Sequence, residues 1–194
     1  MCGGSSWAAD GQALYAGCIA CHGGKGEGTA ALGAPAVAGQ DAAYLERQLR
    51  NFRAGSRGTH NADAAGAQMR AIAATLPDEA AVTRVAAYMA KLPKAPASAS
   101  TTGNLHNGNN LYQGKCGACH GTAAEGNAAL KAPRLTGLDP AYLKRQFANF
   151  RDGVRGTDKQ DLQGRQMALM ARTLTTDRDL EDVIAFIQQQ GRGK

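Results

Sequence analysis

Two five-residue stretches, CIACH at 18–22 and CGACH at 116–120, hold four of the five cysteines of this 194-residue chain and two of its four histidines. On a helical turn, thiols three residues apart lie on one face. Such a pair adds across the two vinyl groups of one porphyrin, and the histidine that follows turns its imidazole to the iron. Cys-x-x-Cys-His is therefore the attachment pattern of c-type haem. The spacing predicts that Cys18 and Cys21 hold one haem with His22 as axial ligand, and that Cys116, Cys119 and His120 hold a second.

Competing chemistries fit less well. Tetrahedral zinc at each Cys-x-x-Cys needs two further ligands, and a joint site leaves the histidines unexplained. A thioredoxin-like dithiol needs a βαβ setting, and no stretch of the chain shows strand alternation.

The motifs are part of a longer repetition. Cys18 and Cys116 stand 98 residues apart, and at that offset APAVAG (34–39) faces APRLTG (132–137). DAAYLERQLRNFRAGSRGT (41–59) likewise faces DPAYLKRQFANFRDGVRGT (139–157), and GAQMRAIAATL (66–76) faces GRQMALMARTL (164–174). Upstream, ALY and NLY align after a one-residue shift. The chain is a tandem duplication whose period is too long for a solenoid.

The repeat selects the sixth iron ligand. Met69 and Met167 each follow their histidine by 47 residues, whereas Met89 faces Ile187, Met170 faces Ile72 and His60 faces Asp158. His106 has no counterpart. Only Met69 and Met167 offer a soft ligand in both copies, and a thioether there raises the reduction potential. Arg57 and Arg155 are candidates to meet the haem propionates through charge-assisted bonds, and Gln48 with Gln146, or Tyr44 with Tyr142, are alternative candidates. The carbonyls of Pro35 and Pro133 are candidates to hold the second imidazole nitrogen.

The elements that must position these groups read as helices. Val82, Val85, Ala86 and Met89 recur at helical spacing, as do Leu180, Val183, Ile184 and Ile187. Thr176 and Asp179 form a capping box for the second of these helices. Segments from Tyr44 to Phe52 and from Tyr142 to Phe150 are also helical, ending near Gly55 and Gly153. The fold class is all-α, with domains at 11–92 and 105–194 joined by a Pro- and Ser-bearing linker at 93–104.

Composition agrees with this division. Hydrophobic residues make up 43 % of the chain but aromatics only 5 %. Two alanine-rich halves would have thin cores, which a large apolar cofactor would fill. The net charge of +6 comes without any basic run, so nucleic acid is not an expected partner. No apolar run approaches a membrane span. Residues 1–10 lack the features of a signal peptide and read as a remnant, with Cys2 left over from processing rather than lipidated.

Taken together, the two CxxCH motifs, GAPAVAGQ, YLERQLRNFRAGSRG and QMRAIAATL resemble the cytochrome c4 family of dihaem bacterial cytochromes, over nearly the whole chain beyond its first ten residues. The resemblance implies two tandem cytochrome c domains, each wrapped around one covalent haem. It implies His/Met ligation by His22 with Met69 and by His120 with Met167. It also implies a periplasmic electron carrier, free or loosely membrane-associated, that delivers electrons to a terminal oxidase. A quinol-oxidising complex or a dehydrogenase would be its donor. A c4-like chain also serves as the cytochrome subunit of periplasmic dehydrogenases such as flavocytochrome c sulfide dehydrogenase, which is the alternative role. A dihaem peroxidase would need one exchangeable ligand, with His60 or Cys2 suspect. The matched methionines fill both sixth positions, so the expected protein is not an enzyme. Export follows from the chemistry of covalent haem attachment outside the cytoplasm.

Overall fold

A computed structural model of the chain describes residues 4–97 and 102–192, and Cys2 lies outside them. The chain divides into two compact units between Ala95 and Pro96. In the first, α1 (Gly4–Tyr15) passes through a 3-10 turn (Ala16–Cys18) into the short α2 (Ile19–His22). α3 (Ala42–Ala54), α4 (Ala64–Ala74) and α5 (Glu79–Lys91) follow. The second unit repeats the order as α6 (Leu105–Lys115), α7 (Gly117–His120), α8 (Pro140–Arg151), α9 (Leu162–Ala171) and α10 (Asp177–Gln190). Among the described residues the only extended pairing is two isolated bridges, Thr29 with Ala34 and Asn127 with Ala132. The all-α reading holds.

Side-chain caps fix where these helices start. The carboxylates of Asp41, Asp63 and Asp78 accept from the backbone N–H of Tyr44, Gly66 and Ala81. Asp139 and Asp161 do the same for α8 and α9, and Thr176 accepts from Asp179 N–H as the capping box requires. Each such cap contributes about 1 kcal/mol by satisfying a donor that the helix itself leaves open.

In each unit the first and last helices pack together, α1 on α5 and α6 on α10. Their contact depends on glycine. A Cβ on Gly11 would stand 2.6 Å from the carbonyl oxygen of Arg84, and one on Gly108 would overlap the carbonyl oxygen of Asp182. The core residues are Tyr15, Leu45, Val85, Ala86 and Met89 in the first unit, the last three from the expected apolar stripe. In the second they are Tyr112, Leu180, Val183, Ile184, Phe186 and Ile187.

The one-residue shift between ALY and NLY has a structural counterpart. Tyr15 precedes Cys18 by three residues through the 3-10 turn, while Tyr112 precedes Cys116 by four, with Cys116 N–H donating to Tyr112 carbonyl at 2.7 Å. The tighter turn absorbs the missing residue. Both hydroxyls then reach the same place, Tyr15 Oη donating to Gly23 carbonyl at 2.7 Å and Tyr112 Oη to Gly121 carbonyl at 2.8 Å. Burial holds both phenols well above their usual pKa.

Candidate haem-binding sites

Each CxxCH motif ends a short helix, and the chain turns away at once. Gly23 and Gly121 adopt φ of 80° and 82°, and a side chain at either would overlap the carboxylate of Glu27 or Glu125. Those carboxylates close the next turn, Glu27 Oε2 accepting from Lys25 N–H and Glu125 Oε2 from Ala123 N–H, each at 2.8 Å. Cys18 and Cys116 are half-buried, Cys21 and Cys119 exposed, and none of the four is in a disulfide. Before haem attachment, burial pushes the Cys18 thiol up and the Cys116 thiol up to about 11.

His22 is buried, and its Nδ1 lies 2.8 Å from the carbonyl oxygen of Pro35. A carbonyl only accepts, so Nδ1 carries the proton. Desolvation also holds the imidazole pKa below its usual value, against the raising effect of that bond, so the neutral ring presents a bare lone pair at Nε2. Met69 Sδ lies 3.4 Å from that nitrogen. Neither atom has a proton to offer the other. Two facing lone-pair donors, one imidazole and one thioether, are a donor set for a transition-metal cation, and His/Met is a haem-iron pair. The residues present therefore fit the group.

The second unit repeats the proximal half of this arrangement. His120 is buried, its Nδ1 is 2.9 Å from Pro133 carbonyl, and burial lowers its pKa. Met167 holds the same register on α9 as Met69 on α4, packed against the cluster of Phe150, Ala168 and Ala171. Among the described residues no three His, Cys, Asp or Glu side chains gather as zinc ligands would.

A family model for cytochrome c matches residues 8–93 and again 105–191. The chain belongs to the cytochrome c family. Within it the chain is of the two-domain cytochrome c4 type. It is 30 % identical to the cytochrome c4 of Stutzerimonas stutzeri over 92 % of this chain and 86 % of that protein. Its likeness to the thiosulfate dehydrogenase electron acceptor of Stutzerimonas stutzeri (strain A1501) is 34 % identity, over 95 % of this chain and 88 % of the other. The crystal structure of reduced recombinant cytochrome c4 from Pseudomonas stutzeri superposes with a TM-score of 0.73 at 27 % identity, covering 93 % of this chain and 97 % of that one. As a cytochrome c with two tandem domains and two CxxCH motifs, the protein carries two covalent c-type haems and is a dihaem electron carrier.

The cytochrome's arginines sit in matched clamps. Arg57 is buried, its Nη1 donating to Gln48 Oε1 at 2.7 Å, with its guanidinium 4.4 Å over the ring of Phe52. Arg155 does the same with Gln146 at 2.6 Å and Phe150 at 4.4 Å. Tyr44 and Tyr142 instead lie under Arg47 and Arg145, 5.4 Å from each guanidinium. His60 is exposed, and its Nδ1 accepts from Ala62 N–H at 3.1 Å. Asp158 closes the equivalent turn from Gln160 N–H at 2.7 Å, so His60 replaces a turn-forming aspartate.

Sequence reasoning gave no part in the site to three pairs that stand against the motifs and the arginines: Tyr15 with Tyr112, Glu27 with Glu125, and Phe52 with Phe150. All three recur in both copies, so repetition was the signal that would have found them.

Proposed function

We propose that the protein is a periplasmic shuttle that takes electrons from a dehydrogenase or quinol-oxidising complex and delivers them to a terminal oxidase, without catalysing a bond-making reaction itself. Cys18, Cys21, Cys116 and Cys119 carry the two haems, His22 with Met69 and His120 with Met167 ligate the irons, and Arg57 and Arg155 meet the propionates. The bound haems supply the Fe(II)/Fe(III) couple. His22 and His120 are kept in one tautomer by Pro35 and Pro133, which aims each Nε2 and raises its basicity as a ligand. Met69 and Met167, as thioether ligands, would favour the reduced iron and would keep a substrate from binding it. The clamps set Arg57 and Arg155 as fixed cations, oriented by glutamine and phenylalanine before any propionate arrives. The observation that carries this reading is the facing pair of His22 Nε2 and Met69 Sδ.

A second reading makes the chain a dehydrogenase's own electron-accepting subunit. It is favoured by the 34 % identity to the thiosulfate dehydrogenase electron acceptor. One experiment separates the two. The reduced protein is mixed with oxidase-containing membranes of its own organism, with and without cyanide. Fast, cyanide-sensitive oxidation of both haems supports the shuttle. Slow oxidation, with prompt reduction only by a co-purifying dehydrogenase, supports the subunit.

A further inference from the structure

Helix α9, which carries Met167, leaves three large apolar side chains in water, and the two most exposed are Leu162 at 59 % and Leu169 at 65 %, with Met170 at 41 %. Arg165 and Arg172 on the same helix and just past its end are exposed too. The leucines are seven residues apart, as are the arginines, and each arginine follows a leucine by three. Seven residues are two helical turns, so the four side chains form two adjacent rows about 10 Å long. The helix buries Gly164, Ala168 and Ala171 on its other side. Met167 lies about 160° around the axis from Leu169, so the leucine row faces away from the proposed ligand.

Nothing described in the chain engages these rows. Arg151 pairs with Asp152 and Asp177, and Lys144 with Glu181, but among the described residues neither Arg165 nor Arg172 forms an ion pair. The duplication supplies an internal control. The four equivalent positions, all on α4, are Ala64, Ala67, Ala71 and Ala74, while the Gln-Met pair between them is kept as Gln68–Met69 and Gln166–Met167. α4 forms the same helix with four methyl groups, so neither folding nor ligation requires the large side chains. The second unit is also the more basic, with 13 Lys and Arg against 9 Asp and Glu after Ala97, compared with 9 against 7 before it.

We infer that this face of α9 docks a redox protein whose own face is an apolar patch rimmed by carboxylates. Exchange with that partner then runs through the second domain. This rests on the electron-carrier reading. Exposed leucines flanked by cations mark an interaction surface. The arginines attract carboxylates over a Debye length and pair with them in planar, bidentate fashion, while the leucines exclude water at the centre. In the exchange one electron leaves a ferrous iron, which becomes ferric, and reduces the partner's oxidised centre. No bond is formed and no proton moves.

The test uses the holoprotein, fully reduced, mixed in a stopped-flow instrument with an oxidised blue-copper protein that has an apolar patch over its copper and an acidic flank. Cu(II) becomes Cu(I) as haem iron becomes ferric. The rate for the parent should fall as salt rises. R165A/R172A should be about tenfold slower at low salt and nearly salt-independent. L162A/L169A should be several-fold slower at all salt concentrations, with the salt dependence kept. Adding A64L/A67R/A71L/A74R to the fourfold alanine variant should restore both rate and salt dependence, by building the face on α4. A fourfold alanine variant as fast and as salt-sensitive as the parent would overturn the proposal. So would a parent that sediments as a dimer and a variant that sediments as a monomer, which would assign the face to a second copy. Oxidation by a small cobalt complex separates the two readings: a parent that fails there loses the carrier reading itself, while variants that match the parent there have lost docking alone.

Discussion

His22 Nδ1 donates to the carbonyl of Pro35 at 2.8 Å, and the bond recurs at 2.9 Å between His120 and Pro133. Thirteen residues separate the partners in both copies. The bond does two things at once. It fixes the proton on the nitrogen facing the loop, and it leaves the other nitrogen as a lone pair aimed into the site. In the first unit that lone pair meets Met69 Sδ.

The ligand assignment predicts domain-specific potentials. Met69→His should lower the potential of one haem by a sizeable part of the roughly 0.8 V range that axial ligands span, and Met167→His should lower the other. Each change should also halve the weak Met–iron charge-transfer band of the ferric protein. Spectroelectrochemical titration reads both, and two unchanged potentials would refute the map.

The clamps predict a smaller electrostatic effect. Arg155→Met keeps an unbranched apolar stem and removes the charge stacked on Phe150. A cation near a haem favours the added electron, so its removal should lower the second domain's potential on the order of tens of millivolts. The first domain's potential should hold. Arg57→Met should give the reverse pattern in the same titration.

Helix packing predicts an unequal cost for two equivalent glycines. Gly11→Ala places a methyl 2.6 Å from Arg84 carbonyl oxygen and 2.9 Å from Tyr88 Cβ. Gly108→Ala meets Asp182 carbonyl oxygen more closely still. Overpacking of this kind costs about 1–3 kcal/mol, and more where backbone must move. Calorimetry should show Gly108→Ala as the more damaging of the two, with the loss confined to the second unit's transition.

The two units should also respond differently to acid. Asp182 accepts from Asn104 N–H at 2.7 Å and from Asn107 Nδ2 at 2.8 Å. The Asn107 amide first, then the Asn104 N–H, holds its carboxyl below the usual carboxylate range. A lowered folded-state pKa stabilises the fold fully above the unfolded value of about 3.9, and that stability is lost as pH falls through the folded value. The first unit has Arg84 at this position and lacks the contribution. Asp182→Asn should destabilise the second unit at pH 7 and flatten its decline below pH 4, as followed by thermal melts across pH.

Local spacing made much of this protein readable. Cysteines three apart, a histidine next to them, and apolar side chains at three- and four-residue steps have geometry set by the helix itself, so haem attachment and the core stripes of α5 and α10 followed from sequence. The duplication added a second layer, because it singled out Met69 and Met167, which stand at the same position in both copies, as the proposed ligands. Contacts across longer separations were decided only by tertiary structure. Arg57 and Gln48, offered as alternatives by sequence, form one clamp because α3 ends at Gly55 and the chain folds back over Phe52. His60, suspect as a ligand, closes its own turn. Asn107 and Asp182, 75 residues apart, meet only because Gly108 lets α6 approach the backbone of α10. Periodicity within a helix is a property of the backbone and is written in every few residues. Which loop carbonyl meets which imidazole, and which face of α9 stays in water, depends on how all the helices close together.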